Sequence, residues 1–445
     1  MYRFPDNLYA DIRIEDVVST TIAFENGKLR QNKTRAEKGA FLRIYDGRRW
    51  YYAATTELDR LQEELDSLAA MAEPNCDINE TPVVKRFQVN RDEIIRFNEN
   101  DIRKVPSSEK QEMLAGYLPL FDEANGIAVS KARYVDTHTE KWFYSSKGAN
   151  IHYDYQHAGV SLLYTVNINE VPTNGFKQKF ALDFDGIKGH HEEFRSDIRE
   201  TLEYAKNAVP VEPGTYTCVL APEVTGVFAH ESFGHKSESD FMLGSENMRK
   251  EWAIGTKVGS DGLNIMDSGI HAGSGYVPYD DEGTKATKTY LVKNGILSGR
   301  LHSAATAAAL EEEVTGNARA MNFEFEPIVR MTSTYIGGGN ETFEELLRGA
   351  EGGIYIPSYN HGSGMSTFTI APRTAYRIRD GKIAEPLRVS VISGNVMETL
   401  HKIDGATKEA PICSSSSGGC GKMEQWPLRV AFGGPCIRVR DITVQ

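Results

Sequence analysis

Along the first quarter of the chain, apolar residues come in short runs closed by turn signals, the pattern of paired strands. Residues 12–24 form a largely apolar run ending at Glu25-Asn26-Gly27, which suits a tight hairpin because Asn and Gly tolerate positive φ. Residues 41–45 and 50–54 flank a second turn at Asp46-Gly47. The period then changes. Leu58, Leu61, Leu65, Leu68 and Met71 recur every three or four positions, predicting an amphipathic helix that Pro74-Asn75-Cys76-Asp77 stops. A second helix is predicted over residues 108–124, and strands over 127–166 around a turn at Lys147-Gly148-Ala149-Asn150. A highly charged helix follows over 191–207. Pro210, Pro213 and Gly214 then mark the expected domain boundary. Beyond it glycine becomes frequent, and short strands alternate with turns at Asn294-Gly295 and Asp380-Gly381. Short helices are predicted over 303–313 and 342–350. The class is α+β: a mixed α/β N-terminal region at 1–210, with room for an internal break near 85–105, then a β-rich C-terminal domain at 211–445.

Composition narrows the function. Of 445 residues 40% are hydrophobic and 25% charged, the balance of a globular chain rather than a disordered one. The net charge of −12 disfavours direct nucleic-acid contact, which needs a basic face to displace counterions. No apolar stretch approaches the roughly 18–20 residues that span a bilayer. Met1-Tyr2-Arg3-Phe4-Pro5-Asp6 leads into charged residues rather than the apolar core of a signal peptide. Five cysteines are too few and odd in number for a disulfide framework. The expectation is a cytoplasmic protein of enzyme size, without nucleic acid or membrane as partner.

Nucleotide signatures are incomplete. Gly273-Ser274-Gly275 and Gly362-Ser363-Gly364 match neither the dinucleotide nor the phosphate-loop fingerprint, and Gly337-Gly338-Gly339 reads as a turn. One constellation stands apart: His230-Glu231-Ser232-Phe233-Gly234-His235, on a helix predicted over 227–241 after a strand over 216–220. Two imidazoles can hold a metal ion, and a glutamate beside the first can act on water there. On an ideal helix, residues i and i+5 point about 140° apart. Both reach one ion only where the helix widens or breaks, and Gly234 permits that. Two unrelated histidines on one helix are the plainer alternative. A third ligand must come from elsewhere. Cys420, between Gly419 and Gly421, competes with Cys413 and Cys436, and a Cys413–Cys420 disulfide is a further alternative.

Residues 230–241, HESFGHKSESDF, resemble the catalytic helix of the TldD/PmbA metallopeptidases, once described as modulators of DNA gyrase. The resemblance continues through Tyr279-Asp280-Asp281-Glu282-Gly283-Thr284, Gly316-Asn317-Ala318-Arg319 and Arg330-Met331-Thr332-Ser333-Thr334-Tyr335. Gly353-Ile354-Tyr355, Gly418-Gly419-Cys420-Gly421-Lys422 and Ile437-Arg438-Val439 extend it over residues 211–445. The N-terminal hairpins and helix share it less specifically. It implies a metallopeptidase domain with one catalytic helix, zinc held by His230, His235 and Cys420, and Glu231 as general base. The substrates it implies are unfolded proteins or peptides. It also implies a partnered architecture around an internal cavity, as a homodimer or as a heterodimer with a motif-lacking relative. Two departures stand out: Lys236 where glycine is common, and a serine-rich loop before Cys420. Neither removes a ligand.

Further roles are assigned more coarsely. His361 and Arg319 are candidates for oxyanion stabilisation, with a structural or substrate-positioning role as the alternative. Glu238 and Asp240 are candidates for orienting a zinc-bound histidine, with a solvent-facing position as the alternative. Two other functions stand beside the peptidase: a zinc hydrolase of a non-protein amide, and a zinc-stabilised binding or modulator protein that does not cut. Glu231 favours a hydrolase, because a structural zinc needs no glutamate there.

Overall fold

The computed structural model describes residues 2–168 and 171–445. Its N-terminal part is a seven-stranded sheet whose frame is four long strands, Tyr9–Glu25, Lys28–Tyr45, Ile127–Ser145 and Asn150–Ile168. The first hairpin turns at Asn26 and Gly27, at φ 48° and 71°, so that Glu25 pairs with Lys28. That double positive φ matches the twist of the flanking strands. Trp50–Thr55 closes one edge of the sheet. At the other edge Arg91–Ile94 and Val171–Ala181 pair with the two ends of Asn150–Ile168. The helix Leu61–Ala69 buries Leu61, Leu65 and Leu68 against the first hairpin, and Met71 lies exposed beyond its end. The charged helix runs His191–Asn207 and buries Phe194 and Ile198 in the core on the sheet.

Three features depart from the pattern reading. The strand Lys28–Tyr45 begins far earlier than its apolar end suggests, because residues 28–38 are exposed and carry no alternation to read. Val171–Ala181 is a strand for which nothing was expected, and only one of its residues is buried. The helix expected over 108–124 is two, Ser107–Ala115 and Pro119–Asp122, since Pro119 has no N–H to continue the ladder.

In the C-terminal part five strands close on themselves: Ile354–Gly364, Gly214–Leu220, Ile437–Val444, Ile392–Asn395 and Thr367–Arg379, the last pairing back to the first. A second, six-stranded sheet includes Ile265–Ser268, Ser333–Ile336, Ala431–Gly433 and Ile412–Ser414. The helix Pro222–Ala229 packs between strands of both sheets. It can do so closely because residue 226 is glycine: a Cβ there would meet the Gly433 nitrogen at 2.6 Å. Phe228 meets Phe368 edge-on, with ring centroids 5.0 Å apart. Charged residues join the two parts. Arg43 reaches Glu282 at 3.0 Å and Lys141 reaches Asp281 at 2.8 Å, all four side chains buried. Helices and strands thus mix in one part, while strands dominate the other, an α+β architecture.

Candidate metal centre

Gly214–Leu220 delivers the chain to a helix that opens with Pro222, whose fixed φ and missing N–H suit the first helical turn. The regular part ends at Ala229. From His230 to Gly234 the chain winds as a single π-type turn, closed by the His235 N–H donating to the His230 carbonyl. This wider turn swings positions i and i+5 towards each other, which a regular α-helix does not. The two imidazole rings stand 5.1 Å apart at 77°. Gly234 contributes differently from the expectation. Its φ of −57° is ordinary helix, but a Cβ would collide with the Met331 side chain. The helix expected over 227–241 therefore starts earlier and breaks up, continuing as the turn His235–Ser237 and the helix Asp240–Leu243.

Cys420 arrives from far along the chain, on the strand Cys420–Lys422 paired with Gln425–Leu428. One possible ligand atom from each of His230, His235 and Cys420 lies within 4.8 Å of the others. Cys420 Sγ is 3.5 Å from His235 Nε2. A tetrahedral zinc with ordinary bond lengths holds nitrogen and sulfur ligands about 3.5 Å apart, so the donor set fits that ion. His230 Nδ1 is buried with no hydrogen-bond partner among the described residues.

The electrostatics agree with the geometry. Burial resists ionisation of the Cys420 thiol, but the neighbouring His230 and His235 imidazoles outweigh it and bring the pKa down to about 5. Burial likewise opposes charge on His235, yet hydrogen bonds to Cys420 and Glu238 lift it to about 10. The site favours the thiolate form of Cys420, the form that binds a divalent cation, and an ion there would take the place of the proton that His235 holds. Burial raises the pKa of half-buried Glu231, against the pull of His230 and His235.

Neighbours hold the three donor side chains in place. Fully buried Glu238 sits 3.2 Å from His235 Nδ1, which leaves Nε2 facing Cys420. Lys422 lies 3.3 Å from Glu238 and donates to both Asp240 oxygens at 2.6 and 2.7 Å. It ties the cysteine strand to the motif, so neither acid is a bystander on the surface. Arg330, fully buried, donates to the Cys420 and Gln425 carbonyls.

A cavity of about 430 Å³ opens over the cluster, lined by His230, Glu231, His235 and Cys420. Residues 213–445 match the family model of the PmbA/TldA metallopeptidase C-terminal domain, and residues 10–73 match that of PmbA/TldA metallopeptidase domain 1. The chain belongs to the TldD/PmbA metallopeptidase family. It is 32% identical over 451 residues to a metalloprotease of Methanothermobacter thermautotrophicus, covering 98% of this chain and 95% of that relative. A zinc metalloprotease TldD homolog of Saccharolobus solfataricus is 28% identical, covering 98% and 96% of the two chains. In fold it is similar to crystalline TldE from Thermococcus kodakarensis, with TM-score 0.76 and 16% identity over 98% of this chain and 96% of that one.

The other residues singled out in this TldD/PmbA chain fall in several places. Exposed His361 lines the metal cavity. Arg319 does not. It is 5% exposed, donates to the Met331 and Arg429 carbonyls, and lines a neighbouring cavity of about 280 Å³. Cys413 lines the metal cavity, but burial pushes its thiol up to about 11. Cys436 packs beside Val219 and Leu346 instead. All five cysteines are free, so no disulfide joins Cys413 to Cys420. Lys236 is buried over the Trp252 ring and pairs with Glu251 at 3.0 Å. In the serine loop Ser415 donates to Gln178 at 3.0 Å and lines the cavity. Sequence reasoning missed Glu223, Arg373 and Arg429 on the cavity wall. Glu223 stands at the start of the helix that leads into the His230 turn, outside the helix predicted over 227–241, and so gave no signal. Arg373 and Arg429 carry no local signal.

Proposed function

We propose that this chain is a zinc-dependent peptidase of the cytoplasm that hydrolyses peptide bonds in unfolded or peptide substrates. The observation that carries this reading is Glu231 in the same cavity as the His230, His235 and Cys420 donors, with its proton affinity raised by burial. When bound, the ion supplies Lewis acidity that polarises a carbonyl and makes water acidic near neutrality. Glu231 takes the proton of the attacking water and passes it to the leaving amine. Its raised pKa suits both halves of that transfer. His235 is kept in register by Glu238, and Cys420 by the Arg330 and Lys422 contacts to its strand. His361, on the cavity wall, is placed to contact substrate. The family resemblance supports assembly as a homodimer or with a motif-lacking relative around a shared cavity, and sedimentation at micromolar concentration tests it.

The decisive experiment combines metal analysis with digestion of reduced, alkylated lactalbumin, a permanently unfolded protein. Stoichiometric zinc, cleavage that stops with chelator and cleavage that returns with zinc are the expected results. Cleavage indifferent to chelator overturns the assignment. Bound zinc without cleavage of this protein or of short peptides turns the reading towards a non-cutting modulator or a hydrolase of other amides.

A further inference from the structure

Arg429 lines both the metal cavity and the neighbouring cavity of about 280 Å³ between the N-terminal sheet and the C-terminal part. The buried carboxylates of the second cavity are matched. Glu15 and Asp281 face Arg13 and Lys141 at 2.8 to 3.8 Å. On the metal cavity's wall Glu223 lies 3.9 Å from Arg373. Arg319 spends its donors on the Met331 and Arg429 carbonyls. Arg429 itself has one side-chain hydrogen bond, to Thr137 Oγ1 at 3.0 Å, and no ion pair among the described residues. A guanidinium carries five N–H donors in a fork that fits a carboxylate, so most of its capacity is unused. Burial brings its pKa down to about 10, with only Tyr155 opposing. Among the described residues, then, this half-buried cation meets no carboxylate.

Its position relates it to the metal centre. Arg429 follows Leu428, the register partner of Cys420, and Val430 and Phe432 just beyond it also line the metal cavity. Antiparallel partners lie about 5 Å apart and consecutive Cα atoms 3.8 Å, which puts the Arg429 backbone within roughly 9 Å of that of Cys420. An extended peptide covers about 3.3 Å per residue. We propose that Arg429 anchors a carboxylate of the substrate, a C-terminus or an acidic side chain, two or three residues from the bond cleaved at the metal centre. This rests on the peptidase reading above and adds to it a substrate class.

The test uses full-length Glu231→Gln protein loaded with zinc, so that binding is read without turnover. The probes are acetyl-Ala-Ala-Phe-Leu-Ala-Ala as the free acid and as the C-terminal amide, and the same pair with Glu in the fifth place. Calorimetry should show the acid-bearing forms binding about ten- to a hundredfold more tightly than the uncharged amide, the range of a charge-assisted hydrogen-bonded pair. The free-acid and Glu-amide forms separate a terminal from a side-chain carboxylate. Adding Arg429→Gln should bring every form down to the level of the uncharged amide, while Arg429→Lys should keep part of the preference. Equal binding of acid and amide, or a preference that survives Arg429→Gln, overturns the anchor and leaves the peptidase reading standing. Binding of none of the four peptides removes both. Where Arg429→Gln does not fold, the wild-type side chain against Arg429→Lys decides: an identical preference in the two, undiminished by salt, overturns the proposal.

Discussion

Two buried polar clusters in the C-terminal part differ in one respect that separates structure from chemistry. Asp267 is 1% exposed, and its carboxylate accepts from the Asn317 amide, the Thr332 N–H and the Thr332 and Thr334 hydroxyls at 2.5 to 3.2 Å. Every lone pair has work within the fold. Around Cys420 the groups are not all satisfied: His230 Nδ1 has no partner among the described residues, a thiol and an imidazole pull each other's proton affinities in opposite directions, and a cavity stands above them. Both clusters draw on segments that carry the family resemblance. A motif match alone therefore does not tell a scaffold from a reaction centre, whereas hydrogen-bond satisfaction does.

Substitutions can break this contrast. The largest effect is expected at the open cluster. Glu231→Gln keeps the side chain's size but removes the proposed base, so peptidase activity should fall by about 10²–10⁴-fold at unchanged zinc content and unchanged fold. Activity within a few-fold of wild type would place hydrolysis elsewhere. Asp267→Ala should do the reverse. It leaves several buried donors unpaired and should cost about 2–4 kcal/mol in urea unfolding, with zinc content per folded molecule retained. A stable variant that loses zinc would erase the distinction between the clusters.

Glu238→Gln tests the link between the two kinds of role, because Glu238 is structural towards Lys422 and chemical towards His235. Loss of such a histidine partner should weaken zinc binding about 10–100-fold, measured by competition with a chromophoric chelator. The smallest effect concerns His157, a buried imidazole whose Nε2 also lacks a partner among the described residues and which belongs to no ligand cluster among them. Burial first, and then Arg429, lower its pKa well below the ordinary 6.5. The unfolded chain then binds a proton that the folded one refuses. Its contribution to stability is complete above pH 6.5 and is lost as pH falls below that value. Unfolding midpoints at about pH 7.5 and 5.5 should show this slope, and His157→Gln should flatten it without changing zinc content. A steeper slope in the variant would reverse the sign of the argument.

How much was legible depended on what each residue faces. Leu61, Leu65 and Leu68 announce their helix because one face meets the core and the other meets water. Residues 28–38 meet water on both faces, so the strand that holds them has no period to read. Val171–Ala181 escaped notice for the same reason, yet it brings Phe176 and Gln178 to the cavity wall. At the site, the His230 to His235 spacing pointed to a distorted helix, because both histidines lie on one short segment. The reason for Gly234 did not, since Met331 fills the space beside it from far along the chain.

The sequence by itself determined what depends on neighbours in the chain: the hairpin at Asn26-Gly27, the reach of the charged helix His191–Asn207, and the pairing of two imidazoles with a carboxylate on one turn. From the residues alone, Cys420 stood forward only for its flanking glycines, and Cys413 and Cys436 competed with it. Only the tertiary structure decided among them, by bringing Cys420 to His235 across 185 positions and turning Cys436 into an apolar cluster. It alone placed Arg429 where two cavities meet, with no carboxylate paired to it among the described residues. The reason is physical. Periodicity and turn chemistry record which side of a segment is buried, whereas ligand distance and charge balance depend on which segments are buried together.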